Sequence, residues 1–183
     1  MLRKFNAIIS MATLFLLIIH MIMGSFSLIG VTDHGNRIMT IMSFIMLALV
    51  VIHIIIGTIL TVKTIKLTKK SGASYPKQNR LFWTRRISGF AIILFVIFHL
   101  VIFGISHLGG GHVFVFAHAQ LIFSILLVAT VAVHVISNIK PLLISFGFRG
   151  GKVYVKDILF VMSIILLFAT IAFIAFFIRF NFV

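Results

Sequence analysis

Four histidines stand inside four separate apolar stretches of this chain, one in each: His20, His53, His99 and His134. An imidazole surrounded by hydrocarbon must be paired or put to use, because a polar group there is expensive unless something satisfies it. A single such residue reads as a polar contact to a neighbouring Ser, Thr or carbonyl. Four of them invite a comparison of their depths.

An α-helix rises 1.5 Å per residue, so position along a span becomes distance across the membrane. His20 and His99 lie about 15 and 16 residues from the start of their spans on one face, which places both roughly 23 Å in. His53 and His134 lie on spans running the other way and come about 15 to 18 residues in from the opposite face, roughly 22 to 27 Å. The result is two levels with two histidines each. Haem iron takes one axial imidazole from each face of the porphyrin, so the expectation is two stacked bis-histidine haem b sites, His20 with His99 and His53 with His134. Gly24 and Gly57 follow their histidines by four residues on the same helix face and leave room for a flat cofactor. Asn138 holds the corresponding place after His134, where it can hydrogen-bond instead.

The elements that must carry these residues follow from composition. The chain has 183 residues, of which 62% are hydrophobic and 10% charged, with a mean hydropathy of +1.28. No water-soluble domain of this length could bury so much apolar surface, so the chain reads as an integral membrane protein. It contains no Cys, which excludes disulfides, Cys-ligated zinc, Cys-ligated iron–sulfur clusters and covalent c-type haem. Five apolar stretches are long enough to cross about 30 Å of hydrocarbon: about 5–30, 38–62, 82–105, 117–139 and 157–179. The opening stretch is too long for a signal peptide and lacks a small-residue cleavage site, so it reads as a retained first helix. The fold class is therefore an all-α bundle of five transmembrane helices forming one domain over 1–183.

The formal charge of +14 could signal nucleic acid, but the basic residues sit between the spans and follow a membrane pattern instead. Arg3 and Lys4, Lys63 through Arg86, and Lys140, Arg149, Lys152 and Lys156 fall on one side, leaving Arg37 and Arg179 on the other. Cytoplasmic loops collect Lys and Arg, so the N-terminus is expected inside and the C-terminus outside, in a cytoplasmic (inner) membrane. Trp83, Tyr75 and Tyr154 fall near the same cytoplasmic boundary, where amphipathic rings prefer to sit.

With the four histidines, the five spans and the segment RRISGFAIILFVIFH (Arg85 to His99) in view, the chain resembles a known family. This is the cytochrome b membrane subunit of succinate:quinone oxidoreductases, comprising succinate dehydrogenases and quinol:fumarate reductases. The likeness is to the single-subunit, five-helix, dihaem type, and it covers nearly the whole chain in span number, orientation and histidine order. It implies that His20 and His99 ligate a distal haem and that His53 and His134 ligate a proximal one. It implies as partners a flavoprotein subunit and an iron–sulfur subunit docked on the cytoplasmic side. This chain would pass electrons between the iron–sulfur subunit and a membrane quinone, menaquinone by the habit of dihaem members. The dicarboxylate active site would belong to the partners.

Arg85 and Arg86 open the third span near the level where the proximal propionates would emerge; Arg pairs bidentately with carboxylates, and Ser88 is a nearby donor. The chain departs from the family pattern in having no Glu, and its only acidic residues are Asp33 and Asp157. Proton transfer through an intramembrane glutamate therefore cannot be carried over. Asp33, His34, His107, His112, His118 and Gln120 are the polar groups nearest the distal haem and are the candidates for quinone binding. An outer metal site through His107, His112 and His118 is a weaker reading of the same residues. Two other functions fit the pattern: a cytochrome b subunit of another quinone-linked complex, of hydrogenase or formate dehydrogenase type, and a haem-free transporter or scaffold.

Overall fold

The structure, a computed structural model, describes residues 2–32, 37–72, 80–104, 118–148 and 152–182. Among these residues there is no strand; they form five helices, all long and apolar enough to span a membrane. They are α1 (Leu2–Leu28), α2 (Arg37–Ser71), α3 (Arg80–Gly104), α4 (His118–Ser145) and α5 (Lys152–Phe182).

Every expected span is a helix, but three continue beyond their apolar limits. Helix α2 runs on to Ser71 instead of ending near 62, α4 runs on to Ser145 instead of 139, and α5 covers Lys152–Phe182 instead of about 157–179. Hydropathy falls at Lys63 because side chains become polar, yet nothing in Lys63–Lys70 opposes helical backbone hydrogen bonding. The threonines in this stretch turn inward on the helix itself: Thr61, Thr64 and Thr68 donate to the carbonyls four residues earlier at 2.6, 2.8 and 2.8 Å. Helix α2 stops where Gly72 adopts a left-handed φ of +69°.

The C-terminal caps of α1 and α4 are alike. Val31 N donates to Phe26 O and Gly30 N to Ser27 O, while Phe148 N donates to Leu143 O and Gly147 N to Ile144 O. Each is the paired hydrogen-bond pattern closed by a left-handed glycine, with φ +82° at Gly30 and +90° at Gly147. At Gly30 the Arg179 guanidinium occupies the space that a side chain would fill, laying a cation over the negative end of α1.

The bundle is built from two antiparallel pairs and a brace. Helix α1 packs along α2, and α3 packs most extensively along α4; α5 lies against both α1 and α4, which also touch each other lightly. Among the described residues, no comparable backbone packing joins α2 to α3 or α4. The apolar centre lies where α1, α4 and α5 meet, around Val131, Val135, Met162 and Leu166, with Leu14, Leu17, Ile18 and Met21 against it. Ala169 and the fully buried Ala172 on α5 allow the close approach that small residues give membrane helices. Facing outward are large apolar side chains such as Phe15, Phe44 and Phe160, which suit contact with lipid.

Candidate functional site

The four intramembrane histidines meet in the two pairs expected from depth. His20 on α1 faces His99 on α3 with ring centres 6.2 Å apart, and His53 on α2 faces His134 on α4 at 6.3 Å. In both pairs the ring planes are close to perpendicular, at 78° and 86°. Each pair therefore reaches from the α1–α2 hairpin to the α3–α4 hairpin. The facing rings thus join the hairpins, whose backbones also touch lightly between α1 and α4.

This spacing can be compared with that of a shared metal. An imidazole nitrogen sits about 2.0–2.1 Å from a first-row metal ion, so two imidazoles on opposite sides of one ion have ring centres about 6 Å apart. Both pairs match. Among the described residues, no group of three or more His, Cys, Asp or Glu is positioned to hold an ion by itself. A pair of this kind suits a metal whose remaining positions are filled by a macrocycle, which is the donor set of bis-histidine haem.

The second ring nitrogen of three of these histidines is accounted for. His20 Nδ1 lies 3.1 Å from Ser43 Oγ, His53 Nδ1 lies 3.1 Å from Ser10 Oγ, and His134 Nδ1 lies 3.1 Å from Ser88 Oγ. Each serine comes from the helix packed beside its histidine, so these bonds lie within hairpins while the rings meet across them. Sequence reasoning misses these serines as histidine partners, although a signal exists. A serine stands ten residues before His20, His53 and His134 (Ser10, Ser43, Ser124) and eleven before His99 (Ser88). Ten residues of helix span about 15 Å, and in the antiparallel pairs this offset brings Ser10, Ser43 and Ser88 level with the neighbouring helix's histidine.

Glycines near the site play different parts. A side chain built on Gly24 or Gly57 would meet no protein atom within 4 Å, so neither glycine is required by helix–helix packing. Gly89 is the one in contact: its added Cβ would lie 3.4 Å from His134 Cε1 and 3.7 Å from Nδ1. Asn138 bonds the backbone instead of any ring, donating from Nδ2 to His134 O at 2.8 Å.

Where α3 begins, Arg85 Nε donates to Ser137 O at 2.8 Å. The cause lies four residues further along α4. Pro141 stands inside that helix and has no N–H, so the carbonyl of Ser137 loses its helical donor, and Arg85 supplies one from α3. Arg86 lies over the Phe82 ring, 5.2 Å from its centre. Ser88 donates to Arg85 O at 3.3 Å and contacts His134, which leaves its hydroxyl no proton for a propionate. The three residues expected at the propionates thus stand together where α3 begins, Arg85 on the Ser137 carbonyl, Arg86 on Phe82 and Ser88 on His134.

Of the residues expected at a quinone, Asp33, His34, His107 and His112 lie outside the described residues. His118 opens α4 with its ring 5.0 Å from that of Phe177 on α5, edge to face. Gln120 is half-buried, and its Oε1 has no hydrogen-bond partner among the described residues. When compared with models of protein families, with curated proteins and with solved structures, the chain matches none.

Proposed function

We propose that this chain is a dihaem cytochrome b, the membrane subunit of a complex of the succinate:quinone oxidoreductase type, moving electrons between an iron–sulfur partner and membrane quinone. The observation that carries this reading is the pair of histidine couples at 6.2 and 6.3 Å, held at two levels by four different helices. His53 and His134 would hold one haem and His20 and His99 the other, and each haem would supply a one-electron relay site when bound. The chain's own contribution is to fix ring positions through the serine contacts and to present Arg85 and Arg86 at the inner boundary.

A haem-free scaffold is favoured by one observation, since the Ser–His contacts are also what polar glue between membrane helices looks like. Such glue accounts for the contacts within each hairpin. It gives no reason for histidines to confront each other across hairpins at a metal-sized spacing.

The test is to purify the chain with whatever accompanies it and record its spectrum on adding succinate. A b-type spectrum reduced by succinate, with flavin and non-haem iron in the preparation, supports the proposal. A b-type spectrum reduced only by hydrogen or formate moves the chain to another quinone-linked complex, and a colourless preparation returns it to the scaffold reading.

A further inference from the structure

Two of the serine hydroxyls have a proton whose place the geometry fixes. Ser10 Oγ lies 2.7 Å from Asn6 O and Ser43 Oγ lies 2.9 Å from Met39 O. Two oxygens that close attract only with a proton between them, and a carbonyl has none to give. The hydroxyl proton is thus spent on the carbonyl. Toward the histidine each of these serines can then only accept, so the 3.1 Å contacts with His53 and His20 require the proton on Nδ1. Ser88 differs: its Oγ lies 3.3 Å from Arg85 O and closer, 3.1 Å, to His134 Nδ1.

We propose that Ser10 and Ser43 are positioning residues that hold His53 and His20 in the Nδ1–H tautomer and so keep the Nε2 lone pair available as a donor. A neutral imidazole in water favours the opposite form, with its proton on Nε2, which binds no metal there. The serines reverse that preference before any metal arrives, and they fix each ring's rotation as well. The tautomer follows from these contacts alone. Its redox consequence deepens the haem reading and depends on it: an Nδ1–H that donates makes the imidazole a stronger ligand, which favours ferric over ferrous iron. Ser124 occupies the equivalent place on α4, buried and donating to Gln120 O at 2.9 Å as the others do to their own helices.

The experiment is a set of redox titrations on the full chain, wild type beside Ser10→Ala, Ser43→Ala and the matching Thr substitutions, with haem content measured in each. Ser43→Ala should raise the midpoint potential of the outer haem alone. Ser10→Ala should raise that of the inner haem alone, and each Thr variant, which keeps the hydroxyl, should return to the wild-type value. Alanine variants that hold both haems at unchanged potentials, or that shift both haems together, would overturn the proposal. If the purified wild type carries no haem, the functional reading fails and nitrogen NMR of the ¹⁵N-histidine-labelled full chain decides the serines' role separately. Protonated Nδ1 at His20 and His53, lost one at a time in the alanine variants, would uphold it; protonated Nε2 at both in the wild type would end it.

Discussion

The link between Arg85 and Pro141 gives a prediction that needs no cofactor. Replacing Arg85 by Met removes the donor on the Ser137 carbonyl, which has no helical partner because residue 141 is proline. A hydrogen bond from a charged donor is worth about 1.5–3 kcal/mol, so Arg85→Met should destabilise the bundle by roughly that amount. Pro141→Ala supplies an N–H at 141 and hands the same carbonyl a donor within its own helix. In that background Arg85 becomes one of two donors, and Arg85→Met should cost less than about 1 kcal/mol. The difference, a coupling of about 1–2 kcal/mol, is read from a double-mutant cycle on reversible unfolding of the four proteins in mixed micelles. Any contribution Arg85 makes as an interfacial anchor is common to both backgrounds and cancels. Equal costs in the two backgrounds would refute the claim that Arg85 is there to satisfy the carbonyl that Pro141 leaves open.

Further predictions bear on the histidines and the outer surface. Substituting His20 or His99 by Ala should remove the outer haem component, and substituting His53 or His134 the inner one, as seen in low-temperature absorption spectra; loss of the same component from His20 and His53 variants would break the pairing. Gly89→Ala places a methyl 3.4 Å from the His134 ring and should be tolerated, whereas Gly89→Val overpacks it at about 1–3 kcal/mol and should lower inner haem content alone, measured by difference spectra. The near-perpendicular rings should give strongly anisotropic low-spin ferric electron paramagnetic resonance signals from both centres, and an ordinary three-line rhombic pattern would mean that the planes turn parallel when iron binds. Replacing Asp33 or His118 should slow quinone turnover while leaving both haem spectra and reduction of a water-soluble acceptor intact; normal turnover would move the quinone to the cytoplasmic side, near Arg85.

The number and type of elements were legible because an uninterrupted apolar stretch in this length range has few alternatives to a membrane helix. Helix ends were less so: Lys63 through Lys70 leave the hydrocarbon without leaving the helix, and the real stop is the left-handed Gly72. The pairing of His20 with His99 and of His53 with His134 was readable because it depends only on rise per residue and the direction of each span. The serine partners depend on helix rotation as well, which places Ser43 beside His20 and Ser10 beside His53 only once α1 and α2 are packed. Their ten-residue spacing was visible along the chain, but its meaning was not. Pro141 likewise announced an open carbonyl at Ser137, while the donor came from another helix and had no local signal. Ser88 was read as a propionate donor because it follows two arginines, and it turned out to contact the histidine across the α3–α4 pair.

The central claim, that the two histidine couples are axial ligand pairs, is tested most directly by pyridine haemochrome analysis of the purified wild-type chain against its protein mass. Four imidazoles in two facing pairs predict close to two b-type haems per chain. A value near zero, from protein that is intact and embedded in its native membrane before extraction, would contradict the account and leave the histidines as contacts between helices.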